Sequence, residues 1–314
     1  MANSRKILCC LFLLFVIANF AGASDPNEEM QIAARNGDTA KVKQLAAQGV
    51  DVNAKDSNRA TPLLRAQAGG HIATVRELLD LGADPNIGAD NNTTPLLGAS
   101  FRGQEEILEA LLQKGADANV KTDDGVTPLI AAVLNNQLEI VKLLLAKGSK
   151  INATGNQGTS ALTAAAQNGN INIVKLLLSK GADTKTKVDK GWTALLIAAA
   201  KGHYEVVKAL LDYGADPHFA DAHGITALMI ASYNGNNDII EVLLTKTANP
   251  NKKDDAGMTP LMLAVTNGKD EAVQRLLERG ADKSLKNNEG KTALDYANEK
   301  GAKSMIEILQ KKDL

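Results

Sequence analysis

The chain has 314 residues, of which 44% are hydrophobic and only 3% aromatic, and its 35 basic residues nearly balance its 36 acidic ones. This balance excludes the strongly basic footprint expected of a nucleic-acid-binding protein. The length alone would allow two ordinary domains, so internal repeats have to be considered before any domain count is made.

The N-terminal segment predicts export. Arg5 and Lys6 precede an apolar run over residues 7–20, and Ala21-Gly22-Ala23 follows it. This order is typical of a secretory signal peptide, here residues 1–23 with cleavage after Ala23. The run is too short to cross a bilayer core of about 30 Å as a helix. We expect a periplasmic or secreted protein with no membrane insertion after cleavage; an uncleaved anchor or a buried helix is the alternative.

Cleavage changes the cysteine count and the charge. Cys9 and Cys10 are the only cysteines of the chain, so the mature protein can form no disulfide even outside the cell. Two basic residues and no acidic residue leave with the segment, which makes the mature formal charge 33 − 36 = −3. We therefore expect no nucleic-acid binding.

A regular repeat fills the rest of the chain. A Thr or Ser followed by Pro or Ala and then by Leu recurs every 33 residues. We call this Thr or Ser the capping residue; an alanine lies five positions after each one. The capping residues are Thr61, Thr94, Thr127, Ser160, Thr193, Thr226, Thr259 and Thr292. One period before Thr61 lies Glu28, with Ala33 and Gly37 in register, which predicts nine units.

One unit predicts two short helices. Thr193 suits a helix N-cap, whose hydroxyl accepts from unpaired backbone N–H groups. The segment 193–201 then predicts a helix ending at Gly202, and 203–213 predicts a second helix ending at Gly214, since glycine adopts the left-handed cap conformation without strain. In four units proline follows the capping residue, as favoured at the first helical position. A turn-rich connection leads to the next unit.

The pattern G-x-T-P-L-x-x-A-A, then G, then V-x-x-L-L-x-x-G-A-D-x-N resembles the ankyrin repeat. The resemblance implies an all-α ankyrin-repeat solenoid of paired antiparallel helices with β-hairpin finger loops. The expected organisation is a single solenoid over residues 24–314, with an N-terminal capping repeat (about 25–55), seven internal repeats (about 56–286) and a C-terminal capping repeat (about 287–314). The histidine of the family's T-P-L-H motif is replaced throughout, by Leu64, Leu97, Ile130, Thr163, Leu196, Met229, Met262 and Asp295.

Little in the sequence indicates catalysis. His71 and His203 share one repeat position and indicate a structural role. His218 and His223 flank Asp221 and could contact a metal, but their spacing matches no compact zinc motif. We expect no enzyme, no cofactor and no metal; the alternative is a metal-handling or hydrolytic role centred on these three residues. Asn91, Asn92 and Asn152 begin glycosylation sequons, which matter only in a eukaryotic secretory pathway.

The resemblance implies a non-catalytic scaffold, expected to be a monomer, that binds a protein partner through a concave face of finger tips and first helices. The tip residue lies just before each capping residue. The candidate binding residues are the tips Trp192, Ile225, Met258 and Val126, and the first-helix residues Tyr233, Phe101, Arg102, Leu134, Lys201 and Asn234. Trp192 is expected outside the core, so its loss should cost under about 1 kcal/mol of stability. Two alternatives stay open: tips that only pack on neighbouring fingers, and a secreted effector acting on host proteins.

One position departs from the repeat. Most units place glycine after the second helix, namely Gly82, Gly115, Gly148, Gly181, Gly214 and Gly280, but one unit has Thr247. A left-handed backbone there would strain a β-branched residue by about 1–2 kcal/mol. We therefore expect the array to open first near Thr247.

Overall fold

The computed structural model describes residues 25–311, except the side chain of Lys190. The predicted signal peptide and its cleavage site lie outside this range. The described residues contain eighteen α-helices in nine consecutive pairs and no β-strand. They group into two compact units, divided between Asp123 and Asp124.

The first unit contains three helix pairs. Its helices are α1 (Pro26–Asn36), α2 (Thr39–Ala47), α3 (Pro62–Gly69), α4 (Ile72–Asp80), α5 (Pro95–Arg102) and α6 (Glu105–Gln113). The first helices of the pairs, α1, α3 and α5, pack side by side, and so do the second helices α2, α4 and α6. This is the two-layer stack of a repeat solenoid, in which each pair contacts only its neighbours.

The second unit contains six pairs arranged in the same way. Its helices are α7 (Pro128–Leu134), α8 (Leu138–Ala146), α9 (Ala161–Asn168), α10 (Ile171–Ser179), α11 (Ala194–Lys201), α12 (Tyr204–Asp212), α13 (Ala227–Asn234), α14 (Asn237–Thr245), α15 (Pro260–Thr266), α16 (Asp270–Glu278), α17 (Ala293–Glu299) and α18 (Lys303–Gln310). The predicted helices around Thr193 are confirmed as α11 and α12. No helix of residues 25–311 is long and apolar enough to cross a membrane.

The capping residues begin the first helices as predicted, with one exception. In seven repeats the hydroxyl of the capping residue accepts a hydrogen bond from the backbone N–H three residues later, over 3.2–3.4 Å. Thr193 holds the same extended N-cap conformation, yet its hydroxyl makes no cap hydrogen bond within the described residues. Because these bonds are long everywhere, a small shift is enough to lose one. At the chain start, Asp25 caps α1 and Pro26 is its first residue, as predicted.

The core lies between the two helix layers. The alanine five residues after the capping residue is fully buried in all eight repeats that have one. Its small side chain lets adjacent first helices approach closely. The second helices contribute a buried stripe, such as Val207 and Leu210 in α12, both 0% exposed. Burying one such leucine or valine stabilises the fold by about 1.5–3 kcal/mol. His71 and His203 are structural as expected, since each ring Nε2 lies within hydrogen-bond distance of a first-helix carbonyl in the preceding pair, Arg35 O at 2.9 Å and Gln167 O at 3.2 Å.

The predicted left-handed turn is confirmed at the glycines that follow the second helices. The six glycines named above, and Gly49 at the equivalent position of the first repeat, have φ between 84° and 90°, and a Cβ added to any of them would meet no atom within 4 Å. Thr247 adopts φ 68° at the equivalent position. The surroundings thus leave room for a side chain at this position, and the strain of Thr247 comes from its backbone alone.

The fingers are simpler than the predicted β-hairpins. Each is a five-residue turn, and only two isolated antiparallel bridges, Thr154 with Ser160 and Ala220 with Thr226, occur in the described range. A typical finger is closed by a hydrogen bond from its first N–H to its last carbonyl, as from Asp221 to Ile225 at 3.0 Å. So short a loop has no room for a longer ladder.

Candidate functional site

The finger-tip residues Trp192, Ile225 and Met258 lie on three successive fingers and are all half-buried. The indole N–H of Trp192 donates to Oδ2 of Asp221 on the next finger, at 3.0 Å. Oδ1 of Asp221 accepts from the backbone N–H groups of His223 at 2.8 Å and Ile225 at 3.0 Å. Trp192 therefore lies outside the core, as predicted, but it is also tied to the neighbouring finger, which was not predicted.

The same geometry bears on the metal hypothesis. Both carboxylate oxygens of Asp221 already accept hydrogen bonds from its own finger and from Trp192. Residues 25–311 contain no group of three or more His, Cys, Asp or Glu side chains placed to hold a metal. His218, Asp221 and His223 are close in sequence but do not form such a set.

Three first-helix candidates, Phe101, Leu134 and Tyr233, share one position, seven residues after the capping residue, and are well exposed there. Arg102, Lys201 and Asn234 lie one residue later in their helices. In the second unit Tyr233 is 48% and Leu134 43% exposed, and in the first unit Phe101 is 55% exposed. Of the remaining candidates, Arg102 and Lys201 are exposed, and Asn234 and Val126 are half-buried.

A second position adds to this face one helical turn earlier, since residues three apart lie on the same side of a helix. Four residues after the capping residue, the second unit carries the half-buried Ile230 and Leu263 and the buried Ile197. A cavity of about 180 Å³ is lined both by first-helix residues, including Thr163 and Ile197, and by finger residues such as Thr159. The fingers and the first helices therefore border the same space.

A protein-family model described as ankyrin repeats (3 copies) matches residues 30–122, 99–188, 180–254 and 228–314. The chain belongs to the ankyrin-repeat family. Ankyrin repeats generally mediate protein–protein interaction, and the family is typically non-catalytic. A comparison with individually curated proteins gave no significant match.

The first unit of this ankyrin-repeat protein has its own cleft between helix α1 and the first finger. The cleft encloses about 580 Å³ and includes Gln31, Ile32 and Arg65 in its wall. Gln31 is only 8% exposed, and its Nε2 donates to the carbonyls of Ala54 at 2.8 Å and Ala60 at 3.1 Å. This amide fixes the first finger to α1. Sequence reading missed it, although the signal was available: a polar residue occupies the position three after the start of its unit, where the other units are mostly apolar.

An ion pair borders the same cleft. Arg65 donates through Nε to Oδ2 of Asp56 at 2.8 Å, and a second guanidinium nitrogen contacts the same oxygen. Oδ1 of Asp56 accepts from the backbone N–H groups of Asn58 and Ala60, both at 2.9 Å. Burial raises the pKa of Asp56, but the hydrogen bonds from Arg65, Ala60 and Asn58 outweigh it and hold the pKa below its usual value.

Successive ankyrin repeats are joined by an asparagine clamp that sequence reading also missed. In the loop after a second helix, Asn53 donates through Nδ2 to the carbonyl of Gly82 at 3.4 Å and accepts at Oδ1 from the N–H of Asp84 at 2.9 Å. Asn86, Asn152 and Asn251, which lie one, three and six periods after Asn53, make the same pair of bonds, over 3.1–3.4 Å to the carbonyl and 2.7–2.8 Å from the N–H. Each clamp joins a side chain of one repeat to two backbone groups of the next.

Proposed function

We propose that this ankyrin-repeat protein is a non-catalytic scaffold that binds a protein partner through the face made by its finger tips and first helices. The distribution of exposed apolar side chains carries the proposal. Six large apolar side chains of residues 25–311 are exposed: Ile32, Phe101, Leu134 and Tyr233 on first helices, and Leu81 and Tyr213 at the ends of second helices. Three of them, Phe101, Leu134 and Tyr233, lie at one repeat position, whereas Leu81 and Tyr213 share another position in only two repeats. Apolar exposure repeated at one position is typical of an interaction surface, whereas scattered residues are ordinary.

The second unit offers the strongest anchors. Tyrosine and tryptophan are enriched among residues that dominate binding energy, because they bury a large area at a low cost in side-chain entropy. Tyr233 is exposed on α13, and Trp192 is held in one orientation by Asp221 before any partner arrives. Preorganisation of this kind lowers the entropy lost on binding. Ile225 and Met258 would extend the contact along the next two fingers.

A site-specific photocrosslinker tests which face binds. Tyr233 on the proposed face and Tyr213 at the end of α12 are both tyrosines, with exposures of 48% and 50%. Each is replaced in turn by a photoreactive phenylalanine analogue in the tagged protein, and crosslinking is done in the native host. The proposal expects a discrete adduct from position 233 and none from position 213. Equal crosslinking from both positions, or adducts from 213 alone, would contradict it.

Affinity then measures the contribution of each residue. With the crosslinked partner purified, Tyr233→Ala should weaken binding by at least about 2 kcal/mol, the usual threshold for a dominant contact. Tyr213→Ala should change it by less than about 0.5 kcal/mol. Circular dichroism of both variants checks that the array stays folded.

We further propose that the protein acts outside the cytoplasm. The support is the basic, then apolar, then small-residue order of residues 1–23. A partner would then be sought among exported or extracellular proteins.

A further inference from the structure

Two repeat junctions lack the asparagine clamp. Lys185 and His218 occupy the loop position at which Asn53, Asn86, Asn152 and Asn251 form their clamps. The clamp needs a donor and an acceptor side by side on one group, as in the asparagine amide. Lysine has no acceptor, and a neutral histidine has its donor and its acceptor on separate ring nitrogens. The backbone of the following repeat keeps the same conformation, with a left-handed residue at Gly214 and at Thr247.

The two backbone groups that a clamp would engage are therefore left over at each of these junctions. At the first, they are the carbonyl of Gly214 and the N–H of Asp216; at the second, the carbonyl of Thr247 and the N–H of Asn249. Within residues 25–311, none of these four groups makes a hydrogen bond to another protein group.

A cavity lies at each of the two junctions, and the two are built from the same repeat positions. The first encloses about 320 Å³, and its wall includes Lys185, Leu195, Asp216 and Phe219. The second encloses about 180 Å³, and its wall includes His218, Leu228, Asn249 and Lys252. The volume of the first reaches the range of small-molecule sites, about 300–1,000 Å³, whereas that of the second does not.

We propose that the cavity at Lys185 binds a ligand bearing a primary carboxamide on an apolar ring. The carboxamide would take the place of the missing asparagine side chain, accepting from the N–H of Asp216 and donating to the carbonyl of Gly214. The rest of the wall suits a ring: Leu195 is 2% exposed, and Phe219 presents an aromatic surface. Nζ of Lys187 lies 4.9 Å from the centre of the Phe219 ring and covers one of its faces.

The pair of backbone groups selects an amide over a carboxylate. A carboxylate could accept from the N–H of Asp216, but its second oxygen has no hydrogen to donate to the carbonyl of Gly214. Lys185 and Lys187 are exposed, so their attraction for an anion is weakened by solvent and salt. Thr193 also lines the cavity, and its hydroxyl makes no cap hydrogen bond.

Amide NMR spectra of the full mature chain, titrated with benzamide, test the proposal. The expected result is a saturable shift of the Asp216 amide and its neighbours, with benzoate binding at least about tenfold more weakly, because the carboxylate forfeits one hydrogen bond and opposes a carbonyl. Absence of a saturable shift, benzoate binding as well as benzamide does, or shifts confined to another region would overturn the proposal.

Asparagine substitutions at two equivalent repeat positions test the role of the carboxamide. Lys185→Asn supplies the missing side chain, so it should close the clamp and lower the affinity for benzamide at least about tenfold. His218→Asn is the matched control at the other junction, outside the cavity at Lys185, and should leave binding unchanged. Retained affinity in Lys185→Asn, or an equal loss in His218→Asn, would contradict the assigned hydrogen bonds.

Discussion

Replacing Thr247 with glycine should stabilise the protein. Thr247 has φ 68° at a position where seven other repeats carry glycine, and the left-handed conformation costs an L-residue about 1–2 kcal/mol. Its side chain is exposed and makes no hydrogen bond within the described residues, so the substitution removes no side-chain hydrogen bond. Glycine offsets part of the gain, by about 0.4–1 kcal/mol, because it increases the conformational freedom of the unfolded chain. The net expectation is a gain of about 0.5–1 kcal/mol.

The effect should be local as well as global. Because solenoid stability is close to a sum over neighbouring repeats, helix α14 just before Thr247 should open less often in the variant. Native-state hydrogen exchange should show its amides protected about two- to fivefold more strongly, which is the same free energy expressed as a ratio. Urea unfolding should show a higher midpoint with an unchanged slope.

The opposite substitution is the matched control. Gly214 has φ 84° one repeat earlier, and a Cβ there would meet no atom within 4 Å. Gly214→Thr should therefore destabilise the protein by a similar amount through the backbone alone. If Thr247→Gly left the midpoint unchanged or lowered it, the strain assigned to Thr247 would be wrong.

Three further predictions follow from other residues. Trp192→Phe, which removes the hydrogen bond to Asp221 but keeps a ring, should lower the unfolding free energy by about 0.5–1.5 kcal/mol. Trp192→Ala should lower it by more than about 1 kcal/mol, the upper limit expected from the sequence. An unchanged urea midpoint in both variants would show that the finger-to-finger contact is not stabilising. Because the folded pKa of Asp56 lies below the unfolded value of about 3.9, the stability that its carboxylate contributes is present above that pH and is lost as pH falls through the folded pKa. Asp56→Asn should therefore lower the free energy of unfolding at pH 7 and flatten its decline between pH 4 and pH 2. An unchanged pH profile of the urea midpoint would contradict this. N-terminal sequencing of protein from the native host should begin at Ser24, and an intact Met1 would refute cleavage.

The repeat period fixed most of the fold in advance. Position-by-position identity placed every capping residue at a helix start and predicted the left-handed turn at Thr247, because these features depend on local backbone chemistry. The finger loops were predicted less well: they make single bridges where hairpins were expected. A strand ladder depends on loop length and on pairing across fingers, which a periodic pattern does not encode.

The candidate face was only partly predictable. Exposure of Tyr233 and Phe101 followed from their position late in a first helix, but the hydrogen bond between Trp192 and Asp221 depends on two fingers 29 residues apart. The clamp asparagines recur in the sequence at one repeat position, but the sequence does not indicate what they bind. Their partners are backbone groups of the next repeat, which any residue type can supply.

The asparagine clamp also bears on how such a chain can change in length. The side chain of one repeat engages only a carbonyl and an N–H of the next, so it places no demand on which residues follow. Deleting or duplicating a block of 33 residues would present each remaining asparagine with the same two groups. As far as this clamp is concerned, such an array can grow or shrink without compensating substitutions, whereas a side-chain pair such as Trp192 and Asp221 would have to be kept together. In chimaeras, blocks ending in Asn152 or Asn251 should be interchangeable, whereas a block ending in Lys185 or His218 would carry its open junction to the new position.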